Sequence, residues 1–337
     1  MLSLKKKQIN AIEVAKQAGV SQSTVSRVFT PGASVSEKAR RRVLETAKEL
    51  GYRPNALARG LITNKTNIIG LVMREIQNPF YPEVLEKFTK GLRKRGYQVL
   101  FVYAEKDELQ HDDISQFLEY NVEGVIVTDA LLSSKVVSHF TENSIPVLLF
   151  NRYAKDFSGH VVCCDNYSAG KKIGEYLLEN EHRQFAYIAG DTNTSTSRDR
   201  ERGFREALCH EGIEPKVEVG NYTYEGGYQA ALQLLKSDPQ LDAIFCANDI
   251  MALGAVDAVK SLGLTIPKDV SIMGVDDIVM ASLPPYSLTT WQQPVDEMIE
   301  ASINILLGEI SGENEGPVSI LLPGKLIERQ SVSTFKK

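Results

Sequence analysis

The chain has 337 residues, of which 43% are hydrophobic, and a formal net charge of −5; that length and apolar content suit two or three domains with sizeable cores. The charge is unevenly placed: residues 1–64 carry 12 Lys/Arg against 4 Asp/Glu, and the rest carries 26 against 39. A basic head on an acidic body argues for a nucleic-acid-binding module joined to something else, although the overall balance alone would argue against nucleic acid. Asn10 and Glu13 form a capping-box pattern that opens a first helix carrying Val14, Ala15 and Ala18. Gly19 permits a sharp reversal, and Ser21 is placed to cap a second helix. Val25 and Val28 face inward on it, while Gln22, Ser23, Ser26 and Arg27 are free to project outward. The segment Ala18–Phe29 thus reads as a helix-turn-helix, the unit that presents side chains to the DNA major groove.

Ser36 is expected to cap a third helix over Glu37–Leu50, with an apolar stripe of Ala39, Val43, Leu44 and Ala47 and with Gly51 as its stop. Arg40, Arg41 and Arg42 read as a solvated face. The stretch from Asn55 to Ile62 is a linker that becomes a helix only with outside help, because it is short and Gly60 costs about 1 kcal/mol against Ala. From Asn67 onward short apolar runs alternate with amphipathic helices. Strands are expected at Ile68–Met73, Val99–Val102, Gly124–Val127, Pro146–Phe150, Phe185–Ala189, Ala243–Cys246 and Val270–Val275. Helices are expected at Pro82–Arg95, Ser115–Tyr120, Ser168–Glu179, Arg198–His210, Gly226–Leu235 and Ile250–Ser261. That alternation calls for an α/β fold of doubly wound parallel sheets, divided between two similar lobes that enclose a cleft at the carboxyl ends of their strands.

No apolar run approaches the ~18 residues a membrane span requires, and the first residues lead into a polar helix rather than a secretion signal. Cys163, Cys164, Cys209 and Cys246 lack metal or redox spacing and suit reduced thiols, so a cytoplasmic protein is expected. The histidines have no metal spacing either. Phosphate-binding GxxxxGK[ST] loops, GxSxG elbows and GxGxxG turns after a strand do not occur. No cofactor, metal or catalytic residue is therefore expected, and a binding scaffold is favoured over an enzyme.

The residues resemble the lactose-repressor/galactose-repressor (LacI/GalR) family of bacterial transcription regulators over nearly the whole chain. The likeness is carried by Glu13-Val-Ala, Ala18-Gly-Val-Ser, Thr24-Val-Ser-Arg27, Gly51-Tyr-Arg-Pro-Asn55, Ala58-Arg-Gly-Leu61 and Asn78-Pro-Phe-Tyr81. It continues through Asn151-Arg152, Asp165-Asn166, Arg200-Glu-Arg-Gly-Phe204, Asn248-Asp-Ile-Met-Ala-Leu-Gly254, Ile266-Pro267 and Gly274-Val-Asp-Asp277. The resemblance implies a headpiece at 1–54, a hinge helix and linker at 55–66, and a core at 67–337 like periplasmic sugar-binding proteins. The first lobe would take about 67–161 plus 292–319, and the second about 162–291 plus 320–337. It further implies a homodimer that binds a palindromic operator in double-stranded DNA under the control of a small molecule, most simply a sugar or sugar derivative. The alternative is a regulator of the same fold controlled by a phosphorylated carrier protein.

By position, the resemblance puts base contacts on Gln22, Ser23, Arg27, Ala56 and Leu61, and phosphate contacts on Thr24 and Asn55. Amide and guanidinium groups make paired hydrogen bonds to purine edges, and an apolar Leu61 would wedge into the minor groove. Effector contacts fall on Phe80, Tyr81, Arg152, Thr196, Arg200, Tyr222, Asn248 and Asp276, a set with the composition of a sugar site. The chain departs from the family pattern at several points. Val275 replaces a usual aromatic, Glu181 replaces the glycine before His182, and Trp291-Gln292 replace an aliphatic residue and a frequent arginine.

Overall fold

The structure is a computed structural model that describes residues 9–30, 32–54, 65–105, 109, 111–129, 134–154, 157–314 and 316–334. The chain divides into two compact units, Met1–Thr66 and Asn67–Lys337. In the first, α1 (Ala11–Ala18), α2 (Gln22–Val28) and α3 (Glu37–Leu50) close around Val14, Val25, Val28, Val43 and Ala47. Local signals explain the boundaries. Asn10 accepts from the Ile12 and Glu13 amides, and the Glu13 carboxylate returns to the Asn10 amide, so the capping box is complete. Gly19 ends α1 at φ 63°, and Ser21 accepts from the Thr24 amide to start α2. One expectation fails on α3: Leu44 is 46% exposed, and Thr46 takes the buried position instead. Arg40 is also more than a solvated charge, since its guanidinium donates to the Val28 and Ala33 carbonyls at 3.3 and 3.4 Å. Asn55, Ala56 and Leu61, with most of the expected hinge helix, lie outside the described residues.

The second unit contains two six-stranded sheets. The first has the order β11-β5-β4-β3-β1-β2, where β1 is Ile68–Met73, β2 Gln98–Tyr103, β3 Gly124–Val127, β4 Val147–Phe150, β5 His160–Cys164 and β11 Ser319–Leu322. The second has the order β12-β10-β9-β8-β6-β7, with β6 Phe185–Ala189, β7 Lys216–Val219, β8 Ala243–Cys246, β9 Ser271–Asp276, β10 Thr289–Gln292 and β12 Lys325–Ile327. All pairings are parallel except β10 with β12. The helices between them are α4 (Phe80–Lys94), α5 (His111–Glu119), α6 (Ser134–Glu142), α7 (Asn166–Glu179), α8 (Ser195–Cys209), α9 (Tyr224–Ser237), α10 (Asp249–Ser261) and α11 (Val295–Ser311). Strands β1, β3, β4, β5, β6, β8 and β9 are buried almost throughout, as parallel strands covered on both faces must be.

The expected lobe boundary at 161/162 is corrected, because it would cut β5 in half. His160–Cys164 is one fully buried strand pairing with β4 on one side and β11 on the other. The chain leaves the first sheet only at Asp165, whose carboxylate accepts from the Ser168 amide and caps α7. The last boundary, expected at about 319/320, moves likewise: β11 belongs wholly to the first sheet, so the return to the second lobe follows Leu322. Among the described residues no helix is long and apolar enough to cross a membrane.

Candidate functional site

On α2 of the first unit, Gln22, Ser23 and Arg27 are exposed and Thr24 is half-buried, while Val25 and Val28 anchor the helix below. The hydroxyls at its start are organised among themselves. Ser21 Oγ lies 2.7 Å from Ser23 Oγ and 2.9 Å from Thr24 Oγ1, so all three sit together at the helix N-terminus. A helix N-terminus with hydroxyls, an amide and a guanidinium in line offers donors to phosphate and paired donors to base edges.

In the second unit, both sheets switch winding direction next to their first strands, at β1/β3 and β6/β8, which is where ligands of such sheets bind. The loops beyond these carboxyl ends meet in one cavity with about 360 Å³ of empty space, counted out to its mouth. Its walls contain all eight residues the family resemblance singled out, from Phe80 and Tyr81 at the start of α4 to Asp276 at the end of β9. Glu75, Asn78 and Asn151 line it as well and were absent from that set. Asn78 and Asn151 could have been found, because both stand inside quoted motifs beside residues that were chosen. Glu75 carried no such signal.

Each wall has a local cause. Tyr81 and Phe80 meet edge to face at 5.2 Å, and Asn151 Nδ2 donates to the Tyr81 hydroxyl at 3.4 Å. Arg152 follows β4 and donates to the Asp129 carbonyl at 2.6 Å, while the Asp129 carboxylate accepts from the Arg74 and Glu75 amides. Across the cleft, Thr194 caps α8, and the Tyr222 hydroxyl lies 3.0 Å from Thr196 Oγ1. Gly190 makes room for that ring: a Cβ there would come 2.1 Å from Tyr222. Arg200 is 2% exposed and held from three sides. It donates to Asn166 Oδ1 at 2.7 Å and to the Ala247 carbonyl at 2.5 Å, and it lies 3.9 Å from Asp276. Gln293, which the sequence reading missed, donates to Asp276 Oδ1 at 2.7 Å.

The electrostatics are those of a buried, polar site. Burial lifts the Asp276 carboxyl to about 6, and the Arg200 guanidinium and the Gln293 amide only partly restrain the rise. Asp249, fully buried at the start of α10, is likewise raised by burial and by the Asp276 charge. Burial also raises Tyr81. The backbone is strained where the chemistry concentrates: Asn151, Tyr222, Asp276 and Asp277 have φ of 69°, 58°, 124° and 61°. Most telling are buried polar atoms with no hydrogen-bond partner, namely Asn151 Oδ1, Arg152 Nε, Asn248 Nδ2 and Gln293 Oε1. Orphaned groups of this kind cost about 1–3 kcal/mol each unless something pairs with them. Among the described residues no cluster has the make-up of a metal site.

Comparison with known proteins follows the same division of the chain. Residues 12–55 match the model of the bacterial regulatory proteins, lacI family, and residues 66–330 match that of the periplasmic binding proteins and sugar binding domain of the LacI family. The HTH-type transcriptional repressor PurR of Erwinia tasmaniensis is 33% identical over 329 residues, covering 95% of this chain and 96% of that protein. Its Klebsiella pneumoniae counterpart is 34% identical over the same span. The Lac repressor dimer bound to operator and the anti-inducer ONPF has a TM-score of 0.88 at 26% identity, over 97% of this chain and 100% of that one. The complex of the regulator CelR with cellobiose has a TM-score of 0.71 at 29% identity, over 96% of this chain and 99% of that one. A helix-turn-helix unit followed by a two-lobed core, with both family models matched in order, makes this chain a member of the LacI family of DNA-binding transcription regulators.

Proposed function

We propose that the protein is a repressor that binds a palindromic operator as a homodimer and is switched by an uncharged sugar or sugar derivative held between its lobes. Gln22, Ser23 and Arg27 read base edges, Thr24 and Asn55 hold phosphates, and Ala56 and Leu61 act at the centre of the operator. The observation that carries the effector half is the set of unpaired buried atoms on Asn151, Arg152 and Asn248, three residues in the wall of one cavity. Sugar hydroxyls are both donors and acceptors, and the rings of Phe80, Tyr81 and Tyr222 offer faces for the C–H side of a pyranose or furanose. The cavity sets Arg152 and Arg200 against Asp276 and Glu75, a balanced wall that suits a neutral ligand. The relatives' repressor names support the sign of regulation, and binding rather than catalysis is the working mode. Control by a phosphorylated carrier protein is less favoured, since it leaves the orphaned polar atoms without a purpose.

The test uses full-length protein. Selection of bound duplexes from a random pool should return a palindrome, and calorimetry with a sugar panel should give heat for at least one member. Arg200→Lys, which keeps the charge but loses the planar fork, should weaken the sugar response about 100-fold with operator affinity retained. A sugar response that survives this change would move the effector site elsewhere.

A further inference from the structure

Three stretches of chain connect the lobes: Cys164-Asp165 between β5 and α7, Gln292–Val295 between β10 and α11, and Pro323-Gly324 between β11 and β12. They are gathered around Trp291, the single tryptophan of the sequence. Trp291 stands near the end of β10 and is 5% exposed. Gly324 lies so close to its indole that a Cβ there would come 2.3 Å from Nε1 and 2.5 Å from the Gln292 carbonyl oxygen. The Gly324 amide in turn bonds the Cys164 sulfur, and the Asp165 amide donates to the Leu322 carbonyl at 2.8 Å. Lys172, in the second turn of α7, places its ammonium 5.7 Å from the centre of the indole. Rotation of one lobe on the other twists these crossings and slides Gly324 across the ring.

Two departures from the family pattern belong together here. Trp291 pairs in register with Val275 of β9, so the aromatic usual at 275 has moved one strand over and the aliphatic has gone the other way. The exchange keeps the bulk between the strands but adds a polar atom. Trp291 Nε1 is buried without a hydrogen-bond partner, although a buried indole N–H ordinarily finds one. An acceptor is near: Nε1 and the Gln292 carbonyl oxygen lie within 2.5 Å of the same point beside Gly324, hence at most about 5 Å apart. In this same arrangement the lobes are joined, since the Tyr153 amide of the first donates to Ser195 Oγ of the second at 2.9 Å. The orphaned donor and the joined lobes therefore occur together.

We propose that Trp291 is a positioning residue that opposes closure of the lobes. With the lobes joined, its Nε1–H has no partner; when they turn apart, Gly324 leaves the ring and the N–H gains the Gln292 carbonyl or solvent. The unpaired donor penalises the closed state alone, and it lowers the affinity of any effector that needs closure by the same factor. An aliphatic residue at this position brings no such donor. The link to an effector rests on the reading of the cavity as its site, but the test needs no effector, so the two can fail separately. Hydrogen–deuterium exchange of the full-length protein, read at single residues, measures how often the Tyr153 amide is released. Ile188, inside the second sheet, reports overall stability in the same run. Trp291→Phe keeps a ring and removes the donor, so protection of Tyr153 should rise about fivefold or more while that of Ile188 does not. A residue that only fills space gives the opposite sign, because the replacement is smaller. Gly324→Ala sets a methyl against the indole and should lower Tyr153 protection about fivefold or more. In a Trp291→Ile background the same change should cost less, since only the Gln292 carbonyl remains in its way. Protection of Tyr153 that is unchanged or lowered in Trp291→Phe overturns the proposal, as does a rise that Ile188 shares. An equal effect of Gly324→Ala in both backgrounds overturns it too; should that variant fail to fold, Trp291→Phe decides alone.

Discussion

At the scale of single residues, Asp276 has the most consequential chemistry. It is nearly inaccessible, strained at φ 124°, and part of the cavity wall beside Arg200. Burial raises its carboxyl to about 6, so in the empty protein its ionisation is a cost that grows from about pH 4 to about pH 6 and stays constant above. A ligand hydroxyl donated to the carboxylate reverses the balance by stabilising the ionised form, which lowers the pKa in the complex. Binding then releases a proton near pH 6, and affinity rises with pH until the empty site is fully ionised. Between pH 7 and pH 5 the affinity of whichever saccharide binds should fall about tenfold. Calorimetry at pH 5, 6 and 7, in buffers of different ionisation heat, reads both the affinity and the proton. Asp276→Asn should abolish the dependence on pH, and a flat profile in the unaltered protein would mean that the ligand does not bond this carboxylate.

At the scale of elements, legibility followed unbroken apolar sequence. The central strands β1, β3, β4, β6, β8 and β9 are apolar runs that parallel sheets enclose on both faces, and they were visible in sequence within one residue or so. The strands that escaped notice, β5, β7, β10, β11 and β12, lie at or next to sheet edges; Lys216-Val-Glu-Val219 mixes polarity, while β5 and β10 are buried yet open on His160 and on Thr289-Thr290. Helix α11 escaped for another reason: its buried face interrupts the aliphatic series with Ser302, although Val295, Met298, Ile299, Ile303 and Leu306 keep helical spacing. The N-terminal turn of α8 reads as a polar loop because Ser195, Thr196 and Ser197 are themselves buried beside the cavity. The cavity residues were reachable only through family motifs, since no spacing along the chain announces which loops of two sheets will converge. One departure from those motifs now has a structural meaning. Glu181 follows the end of α7 at φ 66°, with its amide on Leu178 O at 3.0 Å and the next amide on Leu177 O at 3.2 Å. This is the left-handed closing position that favours glycine. Glu181→Gly should therefore stabilise the protein by about 0.5–1 kcal/mol, the relieved backbone strain outweighing the added freedom of the unfolded chain. A urea midpoint that rises with an unchanged slope checks it; a lower midpoint would show that the Glu181 side chain contributes more than its backbone costs.

At the scale of the whole sensing unit, the question is what a ligand changes when it binds between two lobes. The structure already joins them without one. Tyr153, on the loop after β4, places its amide 2.9 Å from Ser195 Oγ and its hydroxyl 2.8 Å from Asp199 Oδ2, both on α8 of the other lobe. These bonds form across the cavity that contains Arg152 and Thr196, so they report closure directly. A ligand that bridges the same walls favours the joined arrangement by its differential affinity, and by linkage anything that weakens the joined arrangement taxes binding. Removing the Tyr153 hydroxyl (Tyr153→Phe) and the Ser195 hydroxyl (Ser195→Ala) takes away two such bonds, each worth about 1 kcal/mol. Neither side chain belongs to the first unit. The double change should therefore weaken saccharide affinity about 5–30-fold, while operator affinity measured without saccharide shifts in the direction of the open form. The two shifts should have opposite thermodynamic effects in a ligand-induced repressor and the same effect in a ligand-assisted one, so the pair of measurements also fixes the sign of regulation. Unchanged saccharide affinity in the double variant would show that closure is not limited by these bonds, and that the lobes are held at their chain crossings alone.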